Sequence, residues 1–405
     1  MSAAVSAPSS ATTLPVEEPP APGGLSRFAE EVFAPLPRSD QRRWAEVYLC
    51  GLLTVPGKKT IRSMARGIAP CAAAAHALQQ FISASPWDWL GVREALARAA
   101  AGRLPEHVWT VGTTVIEKRG EHSVGVRRRT VAETGRTVNC QVGVGLFLTS
   151  AQESVPVGWR LLLDGTWAGD PARRRRARIP EGTGAEPAWA HVAELTDRLA
   201  ELRVSGQVPL VADLSAGVEP AELAARLGAR RRDFVLEIAP DRPVLPGGPG
   251  MPGGTAVPDG QPVGVERLTA YLAARHPQLL STERRGGGRP VDVLCTPVRL
   301  PGPEYAPGRA APVHRLVAEL SPRSRRPARY WITSLRRHRT AEVLALARRS
   351  ALTGAAVQRL QNDYGLRDFE GRSFPGWHHH MTLASAAYVY RRLYEGAGAA
   401  YCAAA

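Results

Sequence analysis

The sequence predicts a mixed α/β protein: a central sheet with flanking helices, interrupted by a β-rich insertion and preceded by an all-helical N-terminal part. Three observations lead there. From Leu25 to about Gly102 apolar residues recur at helical spacing. From Pro105 short β-rich runs take over, first in succession and then alternating with helices. Beyond residue 264 a second group of β-rich runs precedes the last helices.

Taken in order, residues 1–24 are Ser, Ala, Pro, Glu and Thr with little apolar surface to bury, and read as a disordered lead. In residues 25–103, Trp44, Val47, Tyr48 and Leu52 fall at i, i+3, i+4 and i+8, and Leu78 and Phe81 repeat the pattern. Ser85-Pro86 is expected to cap a helix over Trp87–Ala100. Residues 104–239 should form the first part of the sheet. Its strands are Val108–Val111, Val138–Leu148, Trp159–Leu163, Val208–Ala212 and Asp233–Ile238, with helices at Ala190–Leu202 and Pro220–Leu227. Residues 240–264 are too rich in Pro and Gly for any element, and the insertion to residue 338 carries runs at Val291–Thr296, Val313–Leu320 and Arg329–Thr333. Residues 339–405 return to helix, at Arg339–Leu352 and Trp377–Leu393.

Of 405 residues, 44% are hydrophobic and 22% charged, which excludes global disorder. Apolar runs such as Val142–Leu148 are far shorter than the ~18 residues of a membrane span. No charged start with an apolar stretch behind it opens the sequence, so no secretory leader is expected. Cys50, Cys71, Cys140, Cys295 and Cys402 are scattered without CxxC spacing and read as reduced thiols of a cytosolic protein. Lys and Arg number 52 against 37 Asp and Glu, a formal charge of +15. That balance points to a polyanion. Guanidinium groups stay charged and donate paired bonds to phosphate, and they cluster at Arg127–Arg129, Arg173–Arg176, Arg230–Arg232, Arg323–Arg329 and Arg336–Arg339. Aromatic interleaving is sparse, so duplex DNA is the expected partner rather than a single strand. The expected contacts are Lys58, Lys59 and Arg62 beside a turn-helix at Thr60–Ala65, with Arg127, Arg128, Arg129, Arg173, Arg174, Arg175 and Arg176.

Several stretches, in order from about residue 25 to 395, resemble the DDE, RNase-H-like transposases of bacterial insertion sequences. They are Leu78-Gln-Gln-Phe-Ile-Ser-Ala-Ser-Pro-Trp-Asp-Trp, Gly120-Glu-His-Ser-Val-Gly-Val, Asn139-Cys-Gln-Val, and Trp159-Arg-Leu with Trp167 and Asp170-Pro-Ala-Arg-Arg-Arg. Ile179-Pro-Glu, Val211-Ala-Asp213 and Asp368-Phe-Glu-Gly-Arg-Ser-Phe-Pro-Gly-Trp-His-His-His-Met-Thr-Leu complete the set. The resemblance implies an RNase-H-like sheet, a DNA-binding helical front end, and a catalytic centre of two Asp and one Glu holding two divalent ions ~3.5–4 Å apart. It also places those three carboxylates at residues 112, 213 and 354.

Only Asp213 is one. Gly112 and Thr113 stand where the family has Asp-Asp, Gly354 stands for the Glu, and Gln361 for a Lys after it. Mg²⁺ and Mn²⁺ take hard oxygen ligands, which glycine lacks. Glu117 lies ~17 Å along the strand from Gly112, Asp363 is too far for a helical slip, and Glu370 with Asp368 belongs to the closing motif.

His378-His379-His380 projects three rings ~100° apart on a helix, so the expected role is packing or phosphate contact, not one shared ion. The glycines at 247–254 and 286–288 lack a P-loop ending, and Ser215 lacks a hydrolase context. The expected function is therefore a transposase-derived DNA-binding protein without strand-transfer chemistry, a pseudoenzyme or domesticated regulator needing no cofactor. A divalent metal enters only if the site has been rebuilt. Two alternatives stand beside it. One is a repurposed enzyme with a small-molecule ligand in a vacated pocket of Gly112, Thr113, Asp213, Gly354, Glu370 and His378. The other is an active transposase with displaced ligands. A homodimer is compatible with all three.

Overall fold

A computed structural model describes residues 22–68, 72–130, 135–214, 219–247, 261–284, 290–302, 312–321 and 327–395. Residues 1–21 of the expected lead, Ser215, Arg323, both glycine-rich runs almost entirely, Cys71 and Cys402 lie outside them, while residues 22–24, expected as part of that lead, open the first helix. Helices α1 (Pro22–Phe33), α2 (Ser39–Thr54), α3 (Ile61–Ile68), α4 (Ala72–Ser83) and α5 (Trp89–Ala101) come first. On α2 the buried stripe runs through Gln41, Ala45, Tyr48, Leu49 and Leu52, leaving the expected Trp44 and Val47 half-buried. The last of these helices starts two residues later than expected, because Asp88 and not Ser85 caps it, accepting from the Leu90 and Gly91 amides at 2.8 and 3.2 Å. Asp88→Ala is expected to lower stability by about 1 kcal/mol in a denaturant titration, the usual worth of such a cap.

The sheet begins with β1 (Val108–Glu117), β2 (Arg127–Thr130), β3 (Thr137–Thr149) and β4 (Ser154–Leu161). Short helices α6 (Gly165–Gly169) and α7 (Pro171–Ala177) and the longer α8 (Ala188–Glu201) lead to β5 (Leu210–Asp213), α9 (Pro220–Ala229) and β6 (Phe234–Glu237). Its core order is β4-β3-β1-β5-β6, antiparallel across β4, β3 and β1 and parallel from β1 through β5 to β6. This mixed sheet is consistent with an RNase-H-like fold. As expected, the strands carrying Gly112 and Asp213 are neighbours: Trp109 pairs with Leu210 and Thr110 with Val211.

The stretch after residue 240 does contain elements, contrary to its composition. β7 (Pro243–Pro246) and β8 (Val263–Gly264) pair with each other, and α10 (Val265–Arg275) follows. Proline can sit in β7 because the strand pairs over only two or so residues on each side, where few amides are needed. β9 (Leu280–Arg284), β10 (Pro290–Arg299), β11 (His314–Leu320) and β12 (Pro327–Thr333) are antiparallel and extend the sheet beyond β6 rather than standing apart from it.

The segment expected as one helix at 339–352 is two, α11 (Thr340–Ala347) and α12 (Arg349–Asn362), and the chain closes with α13 (Phe374–Leu393). Every residue of α13 from Phe374 to Tyr390 except Pro375 is buried. It lies between the N-terminal helices and β4, so one continuous apolar core joins Phe28, Tyr48 and Leu96 to Trp159, Leu236 and Leu316.

Candidate functional site

The register of β1 and β5, continued two residues, sets Gly112 level with Asp213. Side chains alternate along β1, so Gly112 shares a face with Thr110 and Thr114, which are buried, while Thr113 points to the other face and is exposed. Gly112's face is filled. A Cβ there would lie 2.9 Å from Phe147 Cε2, 2.9 Å from Val357 Cγ2 and 3.1 Å from Thr353 Cγ2. The residues of α12 that face Gly112 are thus Thr353 and Val357, whereas Gly354 is exposed with open space where a side chain would begin.

Hydroxyls occupy the ground next to Gly112. Thr110 Oγ1 lies 2.7 Å from Thr149 Oγ1 and 2.6 Å from Thr353 Oγ1. Ser154 Oγ lies 2.8 Å from Thr149 Oγ1 and 3.0 Å from Thr353 Oγ1. All four are buried. Gln361 adds a bond from Nε2 to Thr114 Oγ1 at 2.9 Å. Each hydroxyl both donates and accepts, so the group satisfies itself while tying α12 to β1, β3 and β4. No motif marks this network in the sequence. The signal available was a run of Thr on the core-facing side of β1.

Asp213 is exposed at the end of β5, level with Glu237 on β6. Arg329 of β12 grips Glu237 with both arms, Nε to Oε1 at 2.8 Å and Nη2 to Oε2 at 2.6 Å, and stacks over Trp331 at 4.8 Å. Hydrogen bonding to Glu237 raises the Arg329 pKa, and the Asp213 charge adds to it. Among the described residues no three His, Cys, Asp or Glu side chains are grouped to hold a metal ion. The donor set does not fit a two-metal centre.

The other residues named for a pocket lie elsewhere. Glu370 is exposed and pairs with Lys58 at 2.9 Å. Its neighbour Phe369 accepts from Lys118 Nζ, six residues and ~20 Å along β1 from Gly112. His378 is fully buried, stacked on Trp89 with centroids 4.9 Å apart, its Nδ1 3.2 Å from Arg93 Nη2. His379 lies between the carbonyls of Ile82 and Trp87, 3.0 Å from each. His380 meets Tyr48 Oη at 2.9 Å and the Gly365 carbonyl at 2.8 Å. The three rings face three directions and pack rather than touch phosphate.

Burial holds His379 and His380 down to about 4, although carbonyl contacts on each favour a proton, and it holds His314 at about 4 as well. These native values lie below the ordinary ~6.5 of the unfolded chain. Between those limits the unfolded state binds more protons, so stability falls as pH drops from ~6.5 towards 4 and is fully present above ~6.5. Denaturant titrations at pH 7 and 5 should show that loss. Calorimetry should show close to one proton taken up per buried histidine on unfolding near pH 5.

The basic residues separate into those spent inside and those left outside. Lys59 is buried, its ammonium on the Val55 carbonyl and its amide on Asp368 Oδ2 at 2.8 Å. Gly365, at φ 65°, gives it room: a Cβ there would lie 2.5 Å from Lys59 Cγ. Lys59 is therefore no DNA contact. Arg174 is also committed, to the carbonyls of Ala168 at 3.1 Å and of Thr183 and Pro180 at 2.7 Å. Arg232 stacks on Trp109 at 3.9 Å and Arg230 binds Asp197 at 3.1 Å. Arg173 is half-buried beside Trp167 and Asp170, and Arg129 is half-buried too. Lys58, Arg62, Arg127, Arg128, Arg175 and Arg176 are exposed.

Contacts join three of these regions that are far apart in sequence. The loop at 369–373 takes Lys58 through Glu370, Lys118 through the Phe369 carbonyl, and the Val124 amide on the Arg372 carbonyl at 3.1 Å. Two residues on, the Val126 carbonyl accepts from Trp167 Nε1 at 2.9 Å, which docks α6 and α7 beside β2. Lys118, partly buried next to Lys58, has its pKa drawn down to about 8, desolvation first and the Lys58 charge second.

The fold defines a class, proteins built on a mixed α/β sheet of RNase-H-like order. A family model described as DDE superfamily endonuclease matches residues 31–291. The chain belongs to that family. No curated protein matches it. Among the described residues no helix is long and apolar enough to cross a membrane.

Proposed function

We propose that this chain is a DNA-binding member of the family that has given up two-metal strand transfer. The observation that carries the binding half is the contact chain from Lys58 through the 369–373 loop to Arg127, Arg128 and the α7 arginines. It links segments that carry exposed cations and lie far apart in sequence, which supports an extended track for a duplex backbone. The catalytic half rests on Gly112, whose face is closed by Phe147, Thr353 and Val357, and on Asp213 being the one carboxylate among positions 112, 213 and 354. In this reading the N-terminal helices act with the sheet through α13, and Lys58 and Arg62 meet the nucleic acid at one end of the track.

Gel-shift titrations of duplex fragments, with and without Mg²⁺ or Mn²⁺, test both halves. Binding that is independent of either metal, with no nicking or joining, is the expected result. Metal-dependent 3′-end cleavage that disappears in Asp213→Ala would refute the catalytic half.

A further inference from the structure

A cleft lies on the opposite face of the sheet from Gly112. Gly112 pairs with Gly145, and Phe147 and Trp159 share that side. Leu146 and Gly158, themselves paired, point the other way, towards α8. There α5 and α8 stand apart over β3 and β4 and leave a narrow cleft that opens to solvent. Gly158 keeps its floor low, since a Cβ would come within 2.9 Å of Leu195 Cδ2. The lining is mostly aliphatic, including Leu146, Val157, Leu195 and Leu199.

Three guanidinium groups, Arg93, Arg160 and Arg198, line the cleft against one carboxylate, Glu94, which is itself 3.8 Å from Arg98. Arg160 and Arg198 share Glu194, Arg160 through Nε to Oε2 at 2.9 Å and Arg198 through Nε to Oε1 at 3.4 Å. Arg93 has no such partner. It is 5% exposed, and its donors go to Thr382 Oγ1 at 2.7 Å, the Trp159 carbonyl at 2.7 Å and the His378 carbonyl at 3.1 Å. Among the described residues no carboxylate lies within ion-pair distance of it; Arg160 and Arg198 act on it as like charges, opposed at longer range by Asp88. His378 does not compensate, because Nδ1 turned to a guanidinium accepts and the ring stays neutral. A buried cation beside two more is a standing electrostatic cost that an anion in the cleft would relieve.

We propose that this cleft binds a small amphiphilic anion, a carboxylate on a short hydrocarbon, its head among Arg93, Arg160 and Arg198 and its chain on the leucines. Charge selects the head, and the aliphatic walls exclude a bare inorganic anion as the preferred occupant. The site is separate from the surface assigned to DNA and does not depend on that assignment.

Isothermal titration of the full-length protein with hexanoate, 1-hexanol and inorganic phosphate tests it. Hexanoate should bind once per chain, about tenfold or more tighter than either control, because only it uses both halves of the cleft. Arg93→Met should erase that preference, but Arg93 also ties α5 to α13, so two milder variants carry the test. Arg198→Glu, at a half-exposed position, should weaken hexanoate about tenfold and leave 1-hexanol unchanged. Leu90→Trp at the rim should block both. Absence of hexanoate binding, equal binding of hexanoate and hexanol, tighter binding of phosphate, or indifference to both milder variants would overturn the proposal.

Discussion

Replacing Arg127, Arg128, Arg175 and Arg176 together by alanine should weaken duplex binding about a hundredfold at low salt and flatten its salt dependence. Each phosphate neutralised contributes ~0.9 to the slope of log K against log salt, so four lost contacts should reduce it by roughly 3.6. All four side chains are exposed, so the fold should survive. Arg174→Ala provides the contrast. Its guanidinium ties the Ala168 carbonyl of α6 to the Pro180 and Thr183 carbonyls beyond α7, so its loss should appear as a lower melting temperature with the slope changed little. Lys58→Ala should take off one further increment of slope, while Lys59, being buried, should affect folding instead. An unchanged slope in the quadruple variant would mean that the positive charge is a property of composition and that this surface does not meet DNA.

Placing an aspartate at residue 112 should damage the protein rather than give it metal-dependent cleavage. Gly112→Asp puts a Cβ within 2.9 Å of Phe147 and Val357, on a face sealed by α12. Overpacking alone costs about 1–3 kcal/mol, and an unpaired carboxylate pressed against an apolar ring and four self-satisfied hydroxyls adds several more. We expect a loss of about 4 kcal/mol or more in denaturant unfolding. Gly112→Asp combined with Gly354→Glu should show no Mg²⁺-dependent cleavage. Gly354→Glu by itself should be nearly neutral, since open space lies at that position. Recovery of metal-dependent cleavage in the double variant would show that α12 can move aside and that the loss is confined to the two side chains.

The sequence by itself determined the elements whose periodicity is strong. The helical front end, β1, β3, β5 and the last helix follow from apolar spacing alone, and the neighbourhood of Gly112 and Asp213 followed from the order of the matched stretches. That residues 112 and 354 are glycines and not carboxylates is legible too, because it is a matter of residue identity. Only the tertiary structure decided what took their place. Thr110, Thr149, Ser154 and Thr353 are separated by up to 243 residues, and nothing local in any of them announces a shared network. Composition also misled where partners decide the outcome. Pro and Gly at 240–264 argued against strands, yet β7 finds β10 and β8 across the chain. Arginines of equal appearance in the sequence divide into carbonyl clamps such as Arg174 and free cations such as Arg175, because one helical turn directs the first inward and the next to solvent. A charge pattern records what a surface can carry, but burial, which depends on every packed neighbour, decides which charges reach it.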